Sequence, residues 1–347
     1  MIEIMQIPIQ NIYYLLCYAW NKLEEKDIVS VSQTDKDKIL DLFAKVLCNG
    51  IARLLKKGLD RGYVLHKEET GRIRGKINFT TTLRKTFFFQ PRIDCEYDEL
   101  SHNILHNQIL KSTVKILIRC EELNAELREE LKYIYHRFDE IEELALSKRH
   151  FRLVQLNRNN YFYDFLLKIC ELLLDNLLIT ELSGKSKFKD FLQDNHSMSS
   201  LFEEFVRNFY KKEQDDYKVS RENIPWDAVA LDELSKSVLP NMQTDISLTS
   251  QNRKIVIDTK YYKEALQKYY DKESIRSNNL YQLFAYLMNL ESLGEENSTC
   301  EGILLYPTVE SEHEYQYVMK GHKIKVKTIN LNQDWREIHK DLLNTIN

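Results

Sequence analysis

The chain has 347 residues, more than one ordinary hydrophobic core accommodates, so two domains are expected. Hydrophobic residues make up 43% and charged residues 29%, a globular composition that excludes a disordered chain. The net charge of −4 excludes a broadly basic nucleic-acid binder, so any basic surface has to be local.

The first ten residues lack the basic start and long apolar core of a signal peptide. Residues 9–23 predict an aromatic-rich amphipathic helix, in which Tyr13, Tyr14 and Trp20 read either as core or as a contact surface. A second helix is predicted over 35–58, with Leu40, Phe43, Ala44, Leu47 and Ile51 at helical spacing. Residues 63–92 change to alternating and turn-like segments, including the basic run G-R-I-R-G-K-I at 71–77, and predict strands of a small mixed subdomain. Long helices return over 101–120 and 122–144. The polar, irregular 148–160 reads as a linker, which divides the chain into 1–155 and 156–347. The most apolar window, 161–179, contains Asp164, Lys168, Glu171 and Asp175, so it predicts a buried helix and no membrane span. Cys17, Cys48, Cys95, Cys120, Cys170 and Cys300 are widely spaced with no C-x-x-C, which predicts reduced, buried thiols and a cytoplasmic protein.

After polar 183–199, a helix is expected over 200–212, opening on the capping box S-L-F-E. Strands follow near 217–220, 242–249 and 254–259, then a helix over 275–290. Further strands are expected at 302–306, 315–319 and 323–329, and a final helix at 335–346. That order assembles a mixed sheet flanked by helices, an α/β fold.

The chemistry concentrates in 239–263. Residues 243–248 alternate polar and apolar, 249–254 are turn-rich, and Ile255-Val256-Ile257 is a β-branched run. On a strand Asp258 and Lys260 share one face while Ile255 and Ile257 point to the other. A hairpin would bring Asp245 beside Asp258, with Lys260 one step beyond. Two carboxylates sharing a site suit a hard divalent cation such as Mg²⁺, and an adjacent lysine can orient a water and stabilise charge on a phosphate. The same pattern also fits a solvated, ion-paired hairpin. On the helix over 200–212, Phe202, Phe205, Val206 and Phe209 form the core stripe. Glu204 points nearly opposite it, and Glu203 lies on its flank, where it either reaches a neighbouring strand or completes the capping box with Ser200. On the helix over 275–290 the expected apolar stripe is Leu280, Leu283, Phe284 and Leu287. Gln282 and Tyr286 lie one turn apart on another face, placed either for the site's water network and a DNA backbone or simply in solvent.

Other chemistries find no support. Gly184-Lys185-Ser186 has isoleucine where a phosphate loop needs its first glycine, and Gly75-Lys76 is followed by Ile77. No nucleotide is therefore expected on this chain. The histidines show no metal-ligand spacing; His102 and His106, at i and i+4, predict a structural pair. No G-x-S-x-G is present.

Asp245, Asp258-Thr259-Lys260, the preceding helix with Glu203 and the following Gln282-x-x-x-Tyr286 resemble the PD-(D/E)xK nuclease core. The whole chain more specifically resembles the McrC family, the nuclease subunits of 5-methylcytosine-specific McrBC restriction systems. The likeness is carried by 7–20, 57–59, Arg74-Gly75-Lys76-Ile77, Asp98-Glu99-Leu100-Ser101, Thr244-Asp245-Ile246, 258–263 and 279–283. Thr244 departs from the signature, standing where its proline would be. The resemblance implies a Mg²⁺-dependent endonuclease in which Asp245, Asp258 and the Thr259 carbonyl hold the cation and Lys260 acts on the water. It also implies a hexameric McrB-like AAA+ GTPase partner, whose activity the chain stimulates through its N-terminal half, and double-stranded DNA carrying modified cytosine as target. The basic run 71–76 and the helix over 9–20 are the candidates for that contact. Two alternatives remain: a non-catalytic regulator of the GTPase, and a nuclease of a transposition or repair system.

Overall fold

The computed structural model describes residues 7–25, 28, 39–78, 93–179, 186–188, 192, 194–262, 267–269, 272–310 and 312–347. Its contacts form two compact units: 7–25 join the residues from 192 onward, and the rest of the described chain forms the other. This division departs from the boundary expected at 155/156 at both ends. The chain opens with α1 (Ile9–Ala19), whose buried Ile12, Tyr13, Leu15, Leu16 and Tyr18 serve the second, C-terminal unit.

In the N-terminal unit, α2 (Ile39–Lys57) buries most of its first three turns. The strands β1 (Gly62–Thr70), β2 (Lys76–Ile77) and β3 (Ile93–Ser101) form an antiparallel sheet in the order β1-β3-β2. The helices α3 (Leu105–Ile118) and α4 (Ala125–His136) follow, and Asn124 caps α4 by accepting from Glu126 and Leu127 N–H. The segment expected to be a linker instead holds a helix, α5 (Lys148–Leu153), capped by Ser147. Next, α6 (Tyr161–Asn176) packs its buried Phe165, Leu166, Ile169 and Cys170 against α2 and α3, which ties it to this unit. The pair β4 (Leu177–Ile179) and β5 (Ser186–Phe188) closes it. His102 and His106 are structural here, as expected. His102 takes a hydrogen bond from Arg61 Nε at 2.9 Å, and His106 Nε2 lies 3.0 Å from Asp60 Oδ2.

The C-terminal unit begins with α7 (Asn195–Glu213). Asp194 caps it by accepting from Ser197 N–H, so Ser200 lies inside the helix and the expected capping box is not its start. After β6 (Lys218–Ser220) and β7 (Asn223–Ile224) comes the short helix α8 (Glu233–Val238), then β8 (Met242–Gln243), which pairs with β7. The expected hairpin is β9 (Ile246–Thr249) with β10 (Lys254–Thr259), antiparallel, with Ile257 opposite Ile246. A further pair, β11 (Gln267–Tyr269) and β12 (Lys272–Ser274), precedes α9 (Ser277–Glu291). Finally β13 (Glu301–Thr308), β14 (Glu314–Met319), β15 (His322–Asn330) and α10 (Trp335–Ile346) complete the chain.

Six strands form one mixed sheet in the order β14-β15-β13-β10-β9-β6, with β10, β13 and β15 mutually parallel. Helix α9 covers one face, with Leu283, Leu287 and Leu290 on Val256, Leu304, Ile324 and Val326. Gly302 permits that approach: a Cβ there would meet Leu283 and Leu287 at 3.0 Å. Lys325, alternating with Ile324 and Val326, reaches the Thr345 carbonyl of α10 at 2.9 Å, so α10 covers the other face. Strand β10 is buried on both sides, which is why its sequence reads as a continuous apolar run.

All six cysteines are free and buried. Among the described residues no helix is long and apolar enough to cross a membrane.

Candidate active site

The ladder ends with Ile246 opposite Ile257, and Asp245 and Asp258 are the next residue on each side. Both aspartates thus emerge at one end of the hairpin. Asp245 Oδ2 accepts from Thr259 N–H at 2.8 Å and from Thr259 Oγ1 at 2.9 Å. Two donors on one oxygen hold the carboxylate in a single orientation and leave Oδ1 for another partner. Thr259 therefore enters through its amide and hydroxyl, the latter a contact that sequence reasoning missed. Thr244, buried before Asp245, donates its N–H to the Glu222 carbonyl and accepts from Glu222 N–H, both at 3.0 Å. A proline lacks that donor, so the departure from the nuclease signature has a local structural reason.

Asp258 is fully buried, and it shares its face with Val256 and with Leu304 of the neighbouring strand. Its Oδ2 lies 2.8 Å from Lys260 Nζ. Apart from that ion pair, neither carboxylate oxygen has a hydrogen-bond partner among the described residues. Burial pushes the Asp258 pKa up to about 7; Lys260 opposes the shift and Asp245 adds to it. For Lys260, burial pulls the pKa down, but the two carboxylates outweigh it and the net shift is upward. The lysine thus stays charged, and the acid beside it is held close to the protonated state.

The ammonium also donates to Gln282 Oε1 at 3.0 Å, and Gln282 Nε2 donates to the Tyr286 hydroxyl at 2.7 Å. Gln282 and Tyr286 therefore join the site's polar chain. Their expected common polar face is corrected in one respect: Tyr286 belongs to the buried stripe of α9, with Asn279, Leu283, Leu287 and Leu290. Only its hydroxyl reaches the site, and burial, with Asp258 and Asp245 nearby, raises its pKa. Asn279 and Tyr306 were missed. The Asn279 side chain donates to the Tyr306 hydroxyl at 3.0 Å, and Tyr306 lies two residues beyond Leu304 on the face of Asp258. An asparagine one turn before Leu283, inside an apolar stripe, was the available signal.

Glu203 makes its described contacts with arginines. Its carboxylate pairs with Arg207 at 3.0 Å and with Arg221, and Glu204 pairs with the same Arg207. No described contact joins Glu203 to Asp245, Asp258 or Lys260. Its place on the flank of the stripe was read correctly, but the partners there are arginines. Lys263 and the Gly184-Lys185 pair lie outside the described residues. Gly75 of the other G-K pair holds φ +71°, and a Cβ there would collide with the Glu96 carbonyl, so that glycine serves a tight turn.

A buried carboxylate whose one described partner is a lysine ammonium is suited to a hard cation. No group of three or more His, Cys, Asp or Glu forms such a site among the described residues. The donor set here is two carboxylates, which fits Mg²⁺, an ion that keeps several waters and fills its shell with substrate phosphate.

The family model for McrBC 5-methylcytosine restriction system components matches residues 9–307. The chain is 33% identical over 337 residues to the type IV methyl-directed restriction enzyme EcoKMcrBC of Escherichia coli K12, covering 97% of this chain and 96% of that protein. A chain from a refined half-complex of a tetradecameric assembly of Thermococcus gammatolerans McrB AAA+ hexamers with bound McrC has the same fold. The TM-score is 0.60 at 18% identity, over 98% of this chain and 76% of that chain.

Proposed function

The chain belongs to the McrBC 5-methylcytosine restriction system component family, and from that premise we propose that it is the endonuclease subunit of a GTP-dependent, modification-specific restriction complex. The observation that carries the reading is Asp258, a fully buried carboxylate next to Asp245 and tied to Lys260. Burying a carboxylate with one ammonium as its partner is costly, and such perturbed groups cluster at functional sites.

Asp245 and Asp258, with the Thr259 carbonyl, would hold a divalent cation such as Mg²⁺, which when bound supplies positive charge to the phosphate under attack. Thr259 holds Asp245 in orientation through two donors. Lys260, kept protonated by the aspartates, positions the attacking water and places positive charge where negative charge develops. Gln282 holds the ammonium from the side, and Tyr286 holds Gln282. The arginine pairs of Glu203 give it an anchoring role at the margin.

The partner is a McrB-like AAA+ GTPase hexamer, which reads the modified cytosine in double-stranded DNA. The relatives' names connect this family with McrB hexamers and methyl-directed restriction. The exposed basic turn over 71–76 is the face offered to that ring. Helix α1 is not, since its aromatic side chains pack within their own unit: Tyr18 against Phe205 and Phe209, Tyr14 against Trp335.

The test is cleavage of methylated and unmethylated plasmids by the chain alone and with its GTPase partner and GTP. Methylation-selective cutting is expected only with both additions. Efficient selective cutting by the isolated chain would overturn this division of labour.

A further inference from the structure

We propose that Arg276 binds a backbone phosphate of the DNA strand beside the bond to be cut, an inference that rests on the nuclease reading. Arg276 is the residue that precedes the first turn of α9. Its guanidinium carbon lies 4.5 Å from the centroid of the Tyr262 ring. Its Nε is buried and has no hydrogen-bond partner among the described residues, although the residue as a whole is only half-buried. The first turn of α9 offers no acidic side chain to balance it.

Three other arginines of this unit, Arg207, Arg221 and Arg253, are balanced. Arg253 grips Glu301 through Nε and Nη2, both at 2.8 Å, and also donates to Tyr217 and the Ile346 carbonyl. Arg207 and Arg221 share the Glu203 and Glu204 carboxylates. Arg276 is oriented by an aromatic ring and meets no anion among the described residues. Stacking on Tyr262 restrains the guanidinium plane, so little rotamer freedom is lost when an anion arrives. A guanidinium has five N–H donors in a fork that matches two phosphate oxygens.

Its position identifies the anion. Tyr262 lies two residues beyond Lys260, and its ring is 6.3 Å from that of Tyr306. Tyr306 is bonded to Asn279 in the first turn of α9, and the next turn carries Gln282, which holds Lys260. Arg276 thus stands at the start of the helix whose first two turns reach Tyr306 and Lys260. The scissile phosphate belongs to Asp258 and Lys260, and the arginine takes a neighbouring phosphate of the same strand. It acts by holding the strand in register, with no part in the bond-breaking step.

The experiment is equilibrium binding of the full chain to a short fluorescent duplex without divalent cation, in salt from about 50 to 200 mM. Arg276→Ala is expected to bind about tenfold more weakly, and its slope of log affinity against log salt should be shallower by about 1. Arg276→Lys keeps the charge, so it should keep the wild-type slope while recovering only part of the affinity, because an ammonium neither stacks nor forks. Wild-type affinity and slope in Arg276→Ala would overturn the assignment, and so would a wild-type chain that retains no duplex at the lowest salt. Cleavage by Asp258→Asn in the assembled complex separates the two readings. If that variant cuts, the nuclease reading fails; if it is inert while Arg276→Ala binds normally, only the arginine assignment fails.

Discussion

In the six-stranded sheet, β10 hides an aspartate at 0% exposure beneath α9, whereas the three-stranded sheet leaves Tyr63 at 77%, Leu65 at 54% and Leu100 at 50% exposure. Each arrangement is unfavourable for the isolated chain, in opposite senses. The first removes a carboxylate from water with only the Lys260 ammonium to replace it. The second leaves apolar side chains in water on a sheet with polar turns around it. A buried charge is relieved by a cation or a proton, and an exposed apolar surface by another macromolecule. On the proposed reading, the chain carries its chemistry in one sheet and its coupling to the GTPase in the other, and single substitutions should separate the two.

A large effect is expected at Lys260. Arginine keeps the charge, but a planar guanidinium replaces a compact ammonium 2.8 Å from Asp258. Lys260→Arg should cut about 100-fold more slowly or worse, with Mg²⁺ binding largely kept because both carboxylates remain. Cleavage assays beside metal titration calorimetry check this. Substantial activity in the variant would mean that the lysine only balances charge.

The three-stranded sheet is tested at Ile73, 67% exposed in the basic turn. Ile73→Asp should lower stimulation of the partner's GTPase about tenfold. Its melting temperature should stay near that of the wild type, since an exposed side chain contributes within about 0.5 kcal/mol. Unchanged GTPase stimulation would remove this turn from the contact.

A smaller effect concerns Asp258 in metal-free protein. Its pKa of about 7 means that the folded chain holds a proton which the unfolded chain releases above about pH 4. The stabilisation from that proton is complete below the unfolded value and is lost as pH rises through 7. Asp258→Asn cannot ionise. It should melt with the wild type at acid pH and be more stable at pH 8, by on the order of 2 kcal/mol. Melting curves in chelator across that range would show the difference growing with pH; a constant difference would contradict the burial argument.

These sites were not equally legible in the sequence. The pair Asp245 and Asp258 with Lys260 followed from alternation and hairpin geometry, because the side-chain period of a strand leaves one register that buries Ile246 and Ile257. Contacts that depend on a third element were hidden. That Tyr286 is buried depends on the β13 surface beneath α9, and Arg276 becomes conspicuous only when Tyr262 is seen beneath it. The place of α1 was misjudged for a similar reason. Chain order assigns it to the N-terminal half, yet Asn11 donates to the Leu331 carbonyl at 2.8 Å, across 320 residues. Glu203 shows the converse: its position on the helix was read correctly, but the arginines that claim it come from its own helix and from Arg221, beyond the reach of a periodicity argument.

The most direct test measures two activities of one variant, Asp245→Ala, in the complex with the GTPase partner. Cutting of methylated plasmid should fall at least about 1,000-fold, because the carboxylate gripped by Thr259 is removed from the cation site. GTPase stimulation by the same preparation should match the wild type, because that side chain plays no part in the N-terminal sheet. Full cleavage, or the loss of both activities together in a chain that still folds, would contradict the separation of cutting from coupling.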